Sequence, residues 1–538
     1  MQPARSRHLN LPLLWSDPVN KSAPSAPRDL VLALDSGSQS SRALLFAADG
    51  SIVGEAQVLH QPMSFPLPGA VEQDPADIRA CLFSSIRACL KGWGGDPGRI
   101  AAASLTTQRG VYLALDQQGA PLRPAVSWLD RRTADLKAQS ALPMRLLLAL
   151  LGPQALIPRL MARSMPRQWR GRDPELITEL RWVAPLEAWL HGELCSRLAL
   201  APGGLAGVLP VDVKGRRWAK SGLLYALLGY RRSWLPEVVE AGEKIGGLSA
   251  QAAELTGLPQ GLPIISCGGD KQAEALGVGV RTTTPELAVV SLGTASSVAI
   301  ASSVARQSSS YRWLTIAAAE KAAWQLEYMV FRGFWTARWF ARELARDLDQ
   351  RAQLEGCAVE ALLEQEAART PAGAEGLVIW PRWSPSLQQP AESGVVLGLR
   401  EVHGRGHMYR ALLEGIAMDL RSGLALLEKV SGQRISELRV GGGGARSQLA
   451  VQILADVLGR PVRRPESGEL SARGAAIVAA AAAGLHGSVD EAVAAMVPQS
   501  PLVEPDPERA QLYDALYREV YAPGLAELGG LFAGLRSI

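Results

Sequence analysis

The feature that most constrains the fold is a pattern that occurs twice, once in each half of the chain. In the first copy the apolar run Leu30–Leu34 leads into Asp35-Ser-Gly-Ser-Gln-Ser-Ser41 and then into a second apolar run. In the second copy Leu287–Val290 leads in the same way into Ser291-Leu-Gly-Thr-Ala-Ser-Ser297. A strand, a turn of small residues and another strand are typical of a hairpin. A repeat this long does not fit a solenoid, so it predicts two related domains.

The turns of the two copies can be aligned residue by residue. The alignment pairs Gly37 with Gly293, Ser38 with Thr294, Ser40 with Ser296, and Ser41 with Ser297. The conspicuous difference is that Asp35 of the first copy is replaced by Ser291 in the second. We therefore expect two similar backbones with different chemistry.

The length of 538 residues also favours two large domains. Apolar residues make up 47% of the chain and charged residues 20%, which is typical of globular proteins. Strand and helix patterns alternate in both halves, which predicts α/β layers. We expect a flexible tail over residues 1–28, an N-terminal domain over 29–279 and a C-terminal domain over 280–538.

Charge and cysteine content narrow the functional classes. The formal net charge of +4 is small for this length and gives no reason to expect a nucleic-acid partner. The five cysteines show no CxxC pattern, which disfavours a zinc site or a disulfide framework and favours a reducing cytoplasm. The alanine-rich run Gly474–Gly484 is shorter than the roughly 20 residues that span a bilayer. It predicts a tightly packed helix, and no membrane association is expected.

Several further elements follow from the spacing of apolar residues. The predicted strands beyond the repeat are 99–106, 112–115, 263–266 and 438–440. The predicted helices are 76–91, 271–276, 408–430 and 448–458, with further helices between 144 and 230.

The first turn, Asp35 to Arg42, has the composition of an anion site. Its glycine and serines allow successive backbone N–H groups to form a concave nest for phosphate. Asp35 at the end of a strand can hold Mg²⁺, usually through water. The alternative is a plain hairpin whose serines cap the turn. The second copy favours the phosphate interpretation, because two facing turns would hold a polyphosphate between two domains.

Two glycine-rich segments are candidates for further site residues. In Ser266-Cys-Gly-Gly-Asp270 a strand ends at a carboxylate that can accept a proton from a substrate hydroxyl. The alternative is that Asp270 only caps the following helix. Gly441–Gly444 precedes a helix, and such glycines let a flat ring or a phosphate approach the backbone. The alternative is an ordinary strand-to-helix turn.

A third candidate group follows two successive apolar segments. Gln108, Arg109 and Asp130 can hydrogen-bond to sugar hydroxyls, and Trp128 offers a flat apolar wall for a sugar face. The alternative is a surface ion pair together with a core tryptophan.

Together these pieces resemble the FGGY carbohydrate kinases, which include glycerol, xylulose, gluconate and ribulose kinases. The resemblance extends from about Leu30 to Leu485. Its motifs, in the order typical of the family, are Asp35-Ser-Gly-Ser-Gln-Ser-Ser-Arg42, Val71-Glu-Gln-Asp-Pro75, Gln108-Arg109, Trp128-Leu-Asp-Arg131, Gly268-Gly-Asp-Lys-Gln272, Ser291-Leu-Gly-Thr294, Val440-Gly-Gly-Gly-Gly-Ala-Arg-Ser447 and Gly474-Ala-Ala476.

The resemblance implies an α/β, actin-like ATPase fold, with two ribonuclease-H-like domains flanking a catalytic cleft. It implies a sugar-binding domain over 29–279 and a nucleotide-binding domain over 280–538. The cofactors would be ATP and Mg²⁺, the other partner a small sugar, polyol or sugar acid, and the assembly a possible homodimer.

The resemblance also implies roles for particular residues. Asp270 would be the catalytic base, and with Asp35 it would hold Mg²⁺. The substrate would be bound by Gln108, Arg109, Trp128, Asp130 and Asp270. ATP would be bound by Ser38, Gln39, Ser40, Gly293, Thr294, Gly333, Gly444, Ala445 and Ser447.

Departures from the family pattern bear on the substrate. Glycerol kinases resemble this chain but carry a glutamate where Gly110 stands. Without that carboxylate a hydroxyl acceptor is lost and space is opened, so a longer polyol, a ketose or a sugar acid is expected. Two other functions stay open at this point. One is a non-catalytic ATP- and sugar-binding regulatory protein, and the other is an ATPase that moves a partner.

Overall fold

The computed structural model describes residues 28–139, 145, 150, 155–308, 311–384, 392–465 and 468–535. The predicted tail over residues 1–28 lies outside the described residues except for its last residue. We call residues 29–279 the N-terminal half and residues 280–538 the C-terminal half. This division stays a prediction.

The N-terminal half is built on a six-stranded sheet in the order β13-β14-β5-β1-β2-β3. A smaller sheet has the order β4-β7-β6-β8. The strands are β1 Leu30–Ser36, β2 Ser40–Ala47, β3 Ile52–Leu59, β4 Glu72–Gln73, β5 Ile100–Thr107, β6 Tyr112–Leu115, β7 Ala125–Val126, β8 Trp182–Pro185, β9 Ala199–Leu200, β10 Val211–Asp212, β11 Arg217–Trp218, β12 Glu237–Val238, β13 Lys244–Gly247 and β14 Pro263–Gly269.

The helices of the N-terminal half cover the faces of these sheets. They are α1 Pro75–Trp93, α2 Leu136–Gln139, α3 Leu156–Arg163, α4 Met165–Arg172, α5 Pro174–Glu179, α6 Leu186–Cys195, α7 Gly222–Leu228, α8 Ala250–Thr256 and α9 Asp270–Gly277. Local sequence explains the ends of α1. The Asp74 side chain accepts a hydrogen bond from the backbone N–H of Ala76, Pro75 begins the helix, and Gly94 ends it in the left-handed conformation.

The C-terminal half is built on a seven-stranded sheet in the order β17-β18-β16-β15-β21-β22-β23. Its strands are β15 Leu287–Leu292, β16 Ser296–Ser302, β17 Leu314–Ala317, β18 Trp324–Val330, β19 Val378–Trp380, β20 Val395–Leu397, β21 Glu437–Gly441, β22 Val462–Arg463 and β23 Leu502–Val503. Its helices are α10 Gly333–Leu344, α11 Asp349–Glu355, α12 Val359–Ala368, α13 Arg405–Ser431, α14 Gln448–Leu458, α15 Leu470–Ala482, α16 Val489–Met496, α17 Pro507–Leu516, α18 Ala522–Glu527 and α19 Gly529–Leu535.

The two large sheets repeat the same topology, as the sequence predicted. In each half the first strand, β1 or β15, pairs antiparallel with the next strand of the hairpin. On its other side it pairs parallel with a later strand, β5 or β21. A second parallel strand and an antiparallel edge strand complete both sheets.

The two hairpin turns differ in length by one residue. Asp35 lies opposite Arg42 in the first hairpin, whereas Ser291 lies opposite Ser297 in the second. Asp35 and Ser291 are therefore equivalent along the first strand, as are Gly37 and Gly293. After the turn, each residue of the first hairpin corresponds to a residue one position earlier in the second hairpin than the sequence alignment gives, because the second turn is one residue shorter. The sequence alignment of Ser40 with Ser296 is therefore one residue out of register.

The two halves are joined by a pair of crossing helices, α9 and α15. The alanine-rich helix α15 belongs to the C-terminal half but packs on β1 and β5 of the N-terminal sheet. A Cβ atom on Gly474 would lie 1.9 Å from the carbonyl oxygen of Ala273, and one on Gly277 would lie 2.0 Å from that of Leu470. Only glycine permits this close approach of two helix backbones. Among the described residues no helix is both long enough and apolar enough to cross a bilayer.

Candidate active site

A cleft of about 870 Å³ lies between the two halves. Seven of the predicted site residues line it. From the N-terminal half these are Ser38, Gln108, Arg109, Trp128 and Asp270, and from the C-terminal half they are Gly293 and Thr294. The carboxyl end of β14 and both hairpin turns therefore meet at one place, which is where open α/β sheets bind ligands.

Asp270 is positioned by the end of β14. The strand has a bulge between Ser266 and Gly268, and the Thr106 hydroxyl holds the Gly268 carbonyl at 2.9 Å. Bulges of this kind redirect side chains near active sites. Gly269 is the N-cap of α9 and Asp270 is its first residue, so the helix-capping alternative does not describe Asp270.

The Asp270 carboxylate is partly exposed to the cleft, with 28% of the side chain accessible. Its Oδ1 accepts a hydrogen bond of 2.8 Å from the backbone N–H of Lys271 and lies 3.8 Å from Nε of Arg109. Burial raises the pKa of Asp270, against the opposing charges of Lys271 and Arg109. A carboxylate of raised basicity that faces a cleft is suited to accept a proton.

Asp35 is the residue before the last in β1, three positions from Ser38 of the cleft lining, and it is almost fully buried. Its Oδ1 has no hydrogen-bond partner, and its Oδ2 lies 3.9 Å from Arg42. Burial raises the pKa of Asp35 to about 7, while Arg42 opposes the shift and the charge of Asp270 adds to it. A buried carboxylate oxygen without a partner, beside a second carboxylate, is an arrangement that a cation would stabilise.

The carboxylates of Asp35 and Asp270 fit a Mg²⁺ ion that also binds water and phosphate, rather than a metal ion whose ligands all come from the protein. The described residues contain no group of three or more His, Cys, Asp or Glu side chains arranged to hold a metal ion. Mg²⁺ bound at phosphoryl-transfer sites takes one or two carboxylates, and waters and substrate phosphates fill the other positions. The unpartnered Oδ1 of Asp35 is the observation that fits such a role.

Arg109 connects the two halves across the cleft. Its two terminal nitrogens donate to the two carboxylate oxygens of Glu327 on β18, at 2.9 and 3.0 Å. Both side chains are buried, with 9% of Arg109 and 1% of Glu327 accessible. Sequence reasoning missed Glu327, because nothing in Gln325-Leu-Glu-Tyr328 distinguishes it from any other charged strand residue.

The predicted sugar ligand Gln108 is part of a closed hydrogen-bond triangle. Its Oε1 accepts from the Ser38 hydroxyl at 2.9 Å, and its Nε2 donates to Oε1 of Gln73 at 2.9 Å. Gln73 in turn donates to the Ser38 carbonyl. The indole N–H of Trp128 approaches the same hydroxyl at 3.5 Å. Ser38, predicted as an ATP ligand, thus lies among the residues predicted to bind the sugar.

The structure places Asp130 outside this group. Only 3% of its side chain is accessible, and it accepts hydrogen bonds from the backbone N–H groups of Val71 and Arg132. The Arg132 guanidinium also binds it at 2.7 Å. Asp130 therefore holds a turn together, and its predicted contact with substrate stays a prediction that this geometry does not favour.

The remaining residues of the first turn also differ in their surroundings. Gln39 is exposed, and its carbonyl accepts from the backbone N–H of His60. The hydroxyl of Ser40 is buried and accepts from Gln57 at 2.8 Å. Of these two, only Gln39 has a side chain that is open to a ligand in this arrangement.

The second turn is docked against the start of α10. The carbonyls of Gly293 and Thr294 accept from the backbone N–H groups of Phe334 and Trp335. A Cβ atom on Gly333 would lie 2.0 Å from the Ser296 hydroxyl oxygen, so glycine is required there. The predicted residues Gly293, Thr294 and Gly333 are thus brought together.

Lys271 occupies the place opposite Ser291, the counterpart of Asp35. Its Nζ donates to the Ser291 hydroxyl at 2.5 Å and to Glu274 at 2.8 Å. Burial opposes the charged form of Lys271, but Glu274 and Asp270 outweigh it and its pKa is raised. Lys271 was not predicted as a site residue, although it lies inside the Gly268–Gln272 motif.

The glycine run at 441–444 leads into α14, as predicted. A Cβ atom on Gly444 would lie 2.6 Å from the ring of Phe334, and Ala445 packs against the core of the C-terminal half. The hydroxyl of Ser447 is the N-cap of α14 and accepts from the backbone N–H of Ala450 at 3.0 Å. Ser447 thus has a structural partner, and its predicted contact with ATP stays a prediction.

Comparisons with known proteins agree with this geometry. Residues 30–277 match the model of the FGGY family of carbohydrate kinases, N-terminal domain, and residues 288–483 match the model of its C-terminal domain. An uncharacterized sugar kinase, YgcE, of Escherichia coli is 26% identical over 491 residues, covering 91% of this chain and 92% of that protein. A glycerol kinase of Aromatoleum aromaticum is 31% identical, covering 86% of this chain and 91% of that protein.

A solved structure shows the same overall fold. The xylulose kinase of Rhodospirillum rubrum is 28% identical and superposes with a TM-score of 0.73, covering 94% of this chain and all of that one. The α/β, actin-like fold with two domains that the sequence predicted is therefore confirmed.

Proposed function

This chain belongs to the FGGY family of carbohydrate kinases, and we propose that it transfers the γ-phosphoryl group of ATP to a substrate hydroxyl with Asp270 as the general base. The family resemblance inferred from the sequence is confirmed, and the chain is an ATP-dependent sugar kinase. The observation that carries the catalytic proposal is the position of the Asp270 carboxylate, which is exposed to the cleft that both hairpin turns line.

The proposed role of Asp270 is to accept the proton of the attacking hydroxyl. Phosphoryl transfer needs little covalent chemistry from the protein, so a positioned carboxylate and neutralised charge are sufficient. The hydrogen bond from Lys271 N–H fixes Oδ1 of Asp270, and the Arg109 guanidinium at 3.8 Å restrains the same atom. Burial keeps this carboxylate more basic than in water, which favours proton acceptance.

We propose Asp35, together with Asp270, as the residues that hold Mg²⁺ when MgATP is bound. The ion would supply positive charge to the phosphate oxygens. The partner-free Oδ1 of Asp35 supports this assignment. The ammonium group of Lys271 faces the hydroxyl of Ser291 beside the second turn, where it would attract phosphate oxygens.

Closure of the two halves would exclude water from the transfer. The buried ion pair between Arg109 and Glu327 crosses the cleft, because Arg109 lies in the N-terminal half and Glu327 in the C-terminal half. An acceptor enclosed in this way reacts without competition from hydrolysis of ATP. The cytoplasmic location and the homodimer stay predictions.

The test of this proposal is Asp270→Asn, a change that preserves shape and removes the base. We expect the affinity for ATP, measured without Mg²⁺, to stay within about threefold of the wild type and phosphoryl transfer to fall by roughly three orders of magnitude or more. The acceptor is first found by a coupled assay over polyols, ketoses and aldonic acids. Glu243→Gln makes the same chemical change at an exposed ion pair and serves as the control. Near-normal turnover by Asp270→Asn would refute the mechanism.

The same assay distinguishes the two other functions considered for the sequence. A regulatory protein that only binds ATP and sugar would show no steady ADP formation with any acceptor. An ATPase that moves a partner would form ADP without a phosphorylated small molecule. We expect ADP and phosphorylated acceptor in equal amounts.

A further inference from the structure

The lining of the cleft includes apolar side chains from both halves, which we call the apolar region, and polar side chains such as Gln307 and Thr315. Val213 of the N-terminal half belongs to this apolar region, as do Leu314 and Met329 of the C-terminal half. These three side chains are partly exposed, and none belongs to a hydrophobic core of the described residues. Further apolar side chains that line the same region are Leu209, Trp313 and Ile316.

Two polar side chains of the cleft, Gln108 and Arg109, are already engaged within the protein. Gln108 uses its amide in bonds to Ser38 and Gln73. Arg109 binds Glu327 through two nitrogens. A substrate with hydroxyls along its whole length would have to displace these bonds or bury hydroxyls against aliphatic groups, which costs about 1–3 kcal/mol for each unpaired group.

The backbone at Gly110 removes another hydroxyl partner. Its φ is +73°, and a Cβ atom would lie 3.2 Å from Cβ of Trp128. A side chain there would be strained, so this position cannot carry the carboxylate that the glycerol kinase pattern places beside the arginine. Gly110 therefore adds no polar side chain to the cleft lining.

We propose that the natural acceptor is amphiphilic, with a short hydroxylated end at Asp270 and an alkyl or aryl group held between Val213, Leu314 and Met329. This inference rests on the proposed kinase function and names the substrate class of the same site. An apolar group in this region removes the partly exposed side chains from water, and each buried methylene strengthens binding by about fourfold. The hydroxylated end provides the attacking oxygen.

The test compares matched compounds that differ only in an apolar tail. Isothermal titration calorimetry of the full chain with MgADP measures the affinity for glycerol against 1-O-hexylglycerol, and for methyl β-xyloside against hexyl β-xyloside. We expect the hexyl compound of at least one pair to bind tenfold or more tightly than its parent, with a more negative heat-capacity change. A gain below threefold in both pairs, or no detectable binding of any of the four, would overturn the proposal.

Near-isosteric variants distinguish this region from nonspecific association. Val213→Thr and Met329→Gln should each reduce the hexyl-to-parent affinity ratio by at least threefold. Val53→Thr, at an exposed position on β3, should leave the ratio unchanged and is the matched control. An equal ratio in all three variants would place the tail elsewhere and contradict the proposal.

Turnover with the same compounds separates this inference from the proposed function. Transfer to plain polyols or sugars without any preference for the alkylated forms would contradict the amphiphilic acceptor and leave the kinase mechanism intact. A tail-dependent gain in binding, without transfer to any acceptor in the panel, would contradict the kinase mechanism and leave the apolar subsite intact.

Discussion

The chemical difference between the two copies of the repeat is most important at Asp35. Its equivalent, Ser291, receives a hydrogen bond from Lys271, whereas Asp35 keeps one carboxylate oxygen without a partner. Burial raises the pKa of its carboxyl group from the ordinary value of 3.8, which applies to the unfolded chain, to about 7 in the folded protein. Between these values the folded state binds more protons than the unfolded state, so this group lowers stability as pH rises.

The first prediction concerns the pH dependence of that penalty. Asp35→Asn removes the charge, so its thermal midpoint should exceed that of the wild type by about 2–5 °C at pH 8. The difference should shrink at pH 5.5 and become small near pH 4, where the carboxyl group is protonated in the folded state and about half protonated in the unfolded state. Differential scanning calorimetry without nucleotide measures it. Asp96→Asn, at an exposed turn, should show no such trend, and a pH-independent difference for Asp35→Asn would exclude the assigned cause.

A second prediction at this scale concerns metal binding. Since Mg²⁺ needs the ionised carboxylate, its affinity in the presence of ADP should rise as pH increases from 6 to 8. Asp35→Asn should weaken Mg²⁺ binding by roughly tenfold or more at pH 8 and abolish most of the pH dependence. Titration of MgADP by calorimetry measures this. Unchanged Mg²⁺ affinity in Asp35→Asn would show that the ion is held elsewhere.

The role of a side chain could be predicted from the sequence only where the residues adjacent to it in the chain determine its surroundings. Asp270 follows two glycines at the end of a strand, and that setting already predicts a carboxylate at an open edge. Asp130 and Ser447 have equally suitable side chains, but Val71, Arg132 and Ala450 use them as turn and helix caps. Those partners depend on folded geometry, which spacing along the chain does not contain.

At the scale of elements, the crossing of α9 and α15 is the contact that joins the two halves most closely. Gly474 and Gly277 let the two helix backbones approach each other, and the small alanine side chains of α15 let the helix pack close to its neighbours. The sequence predicted a tightly packed helix near Gly474–Gly484, and α15 is that helix. It did not predict which sheet the helix covers, because an alanine-rich face fits either sheet equally well.

The third prediction tests this contact by adding one methyl group. Gly474→Ala should lower the thermal midpoint, with a cost of about 1–3 kcal/mol, because the new Cβ atom would overlap the Ala273 carbonyl. Gly92→Ala in α1 is the matched control, since a Cβ atom there meets nothing within 4 Å. It should raise stability by about 0.5–1 kcal/mol through helix propensity. Equal shifts for both variants would contradict the close crossing.

For the whole molecule, the Arg109–Glu327 pair links the halves at the cleft itself. Removing one member of a buried pair leaves an uncompensated charge, which costs about 3–5 kcal/mol. The pair also fixes how far Arg109 can approach Asp270, so cleft geometry and domain arrangement depend on the same two side chains.

The fourth prediction is a double-mutant cycle on this pair. Arg109→Met and Glu327→Leu should each destabilise the protein, and the double variant should be less destabilised than the sum of both by about 1–3 kcal/mol. The control cycle uses Lys321 and Glu243, which also join the two halves but are exposed. Its coupling should stay below about 1 kcal/mol. A coupling for the buried pair as small as the control would show that it does not hold the halves together.

The placement of α15 on the first sheet has a consequence for the nascent protein. The face of β1 and β5 that α15 covers includes Val31, Ala33 and Ala102, which are fully buried in the finished molecule. During translation this face is made early, and its cover is made only near the end of the chain. At ordinary elongation rates the delay is on the order of tens of seconds. Throughout that interval the growing polypeptide exposes an apolar strand surface, which makes the unfinished chain prone to aggregation.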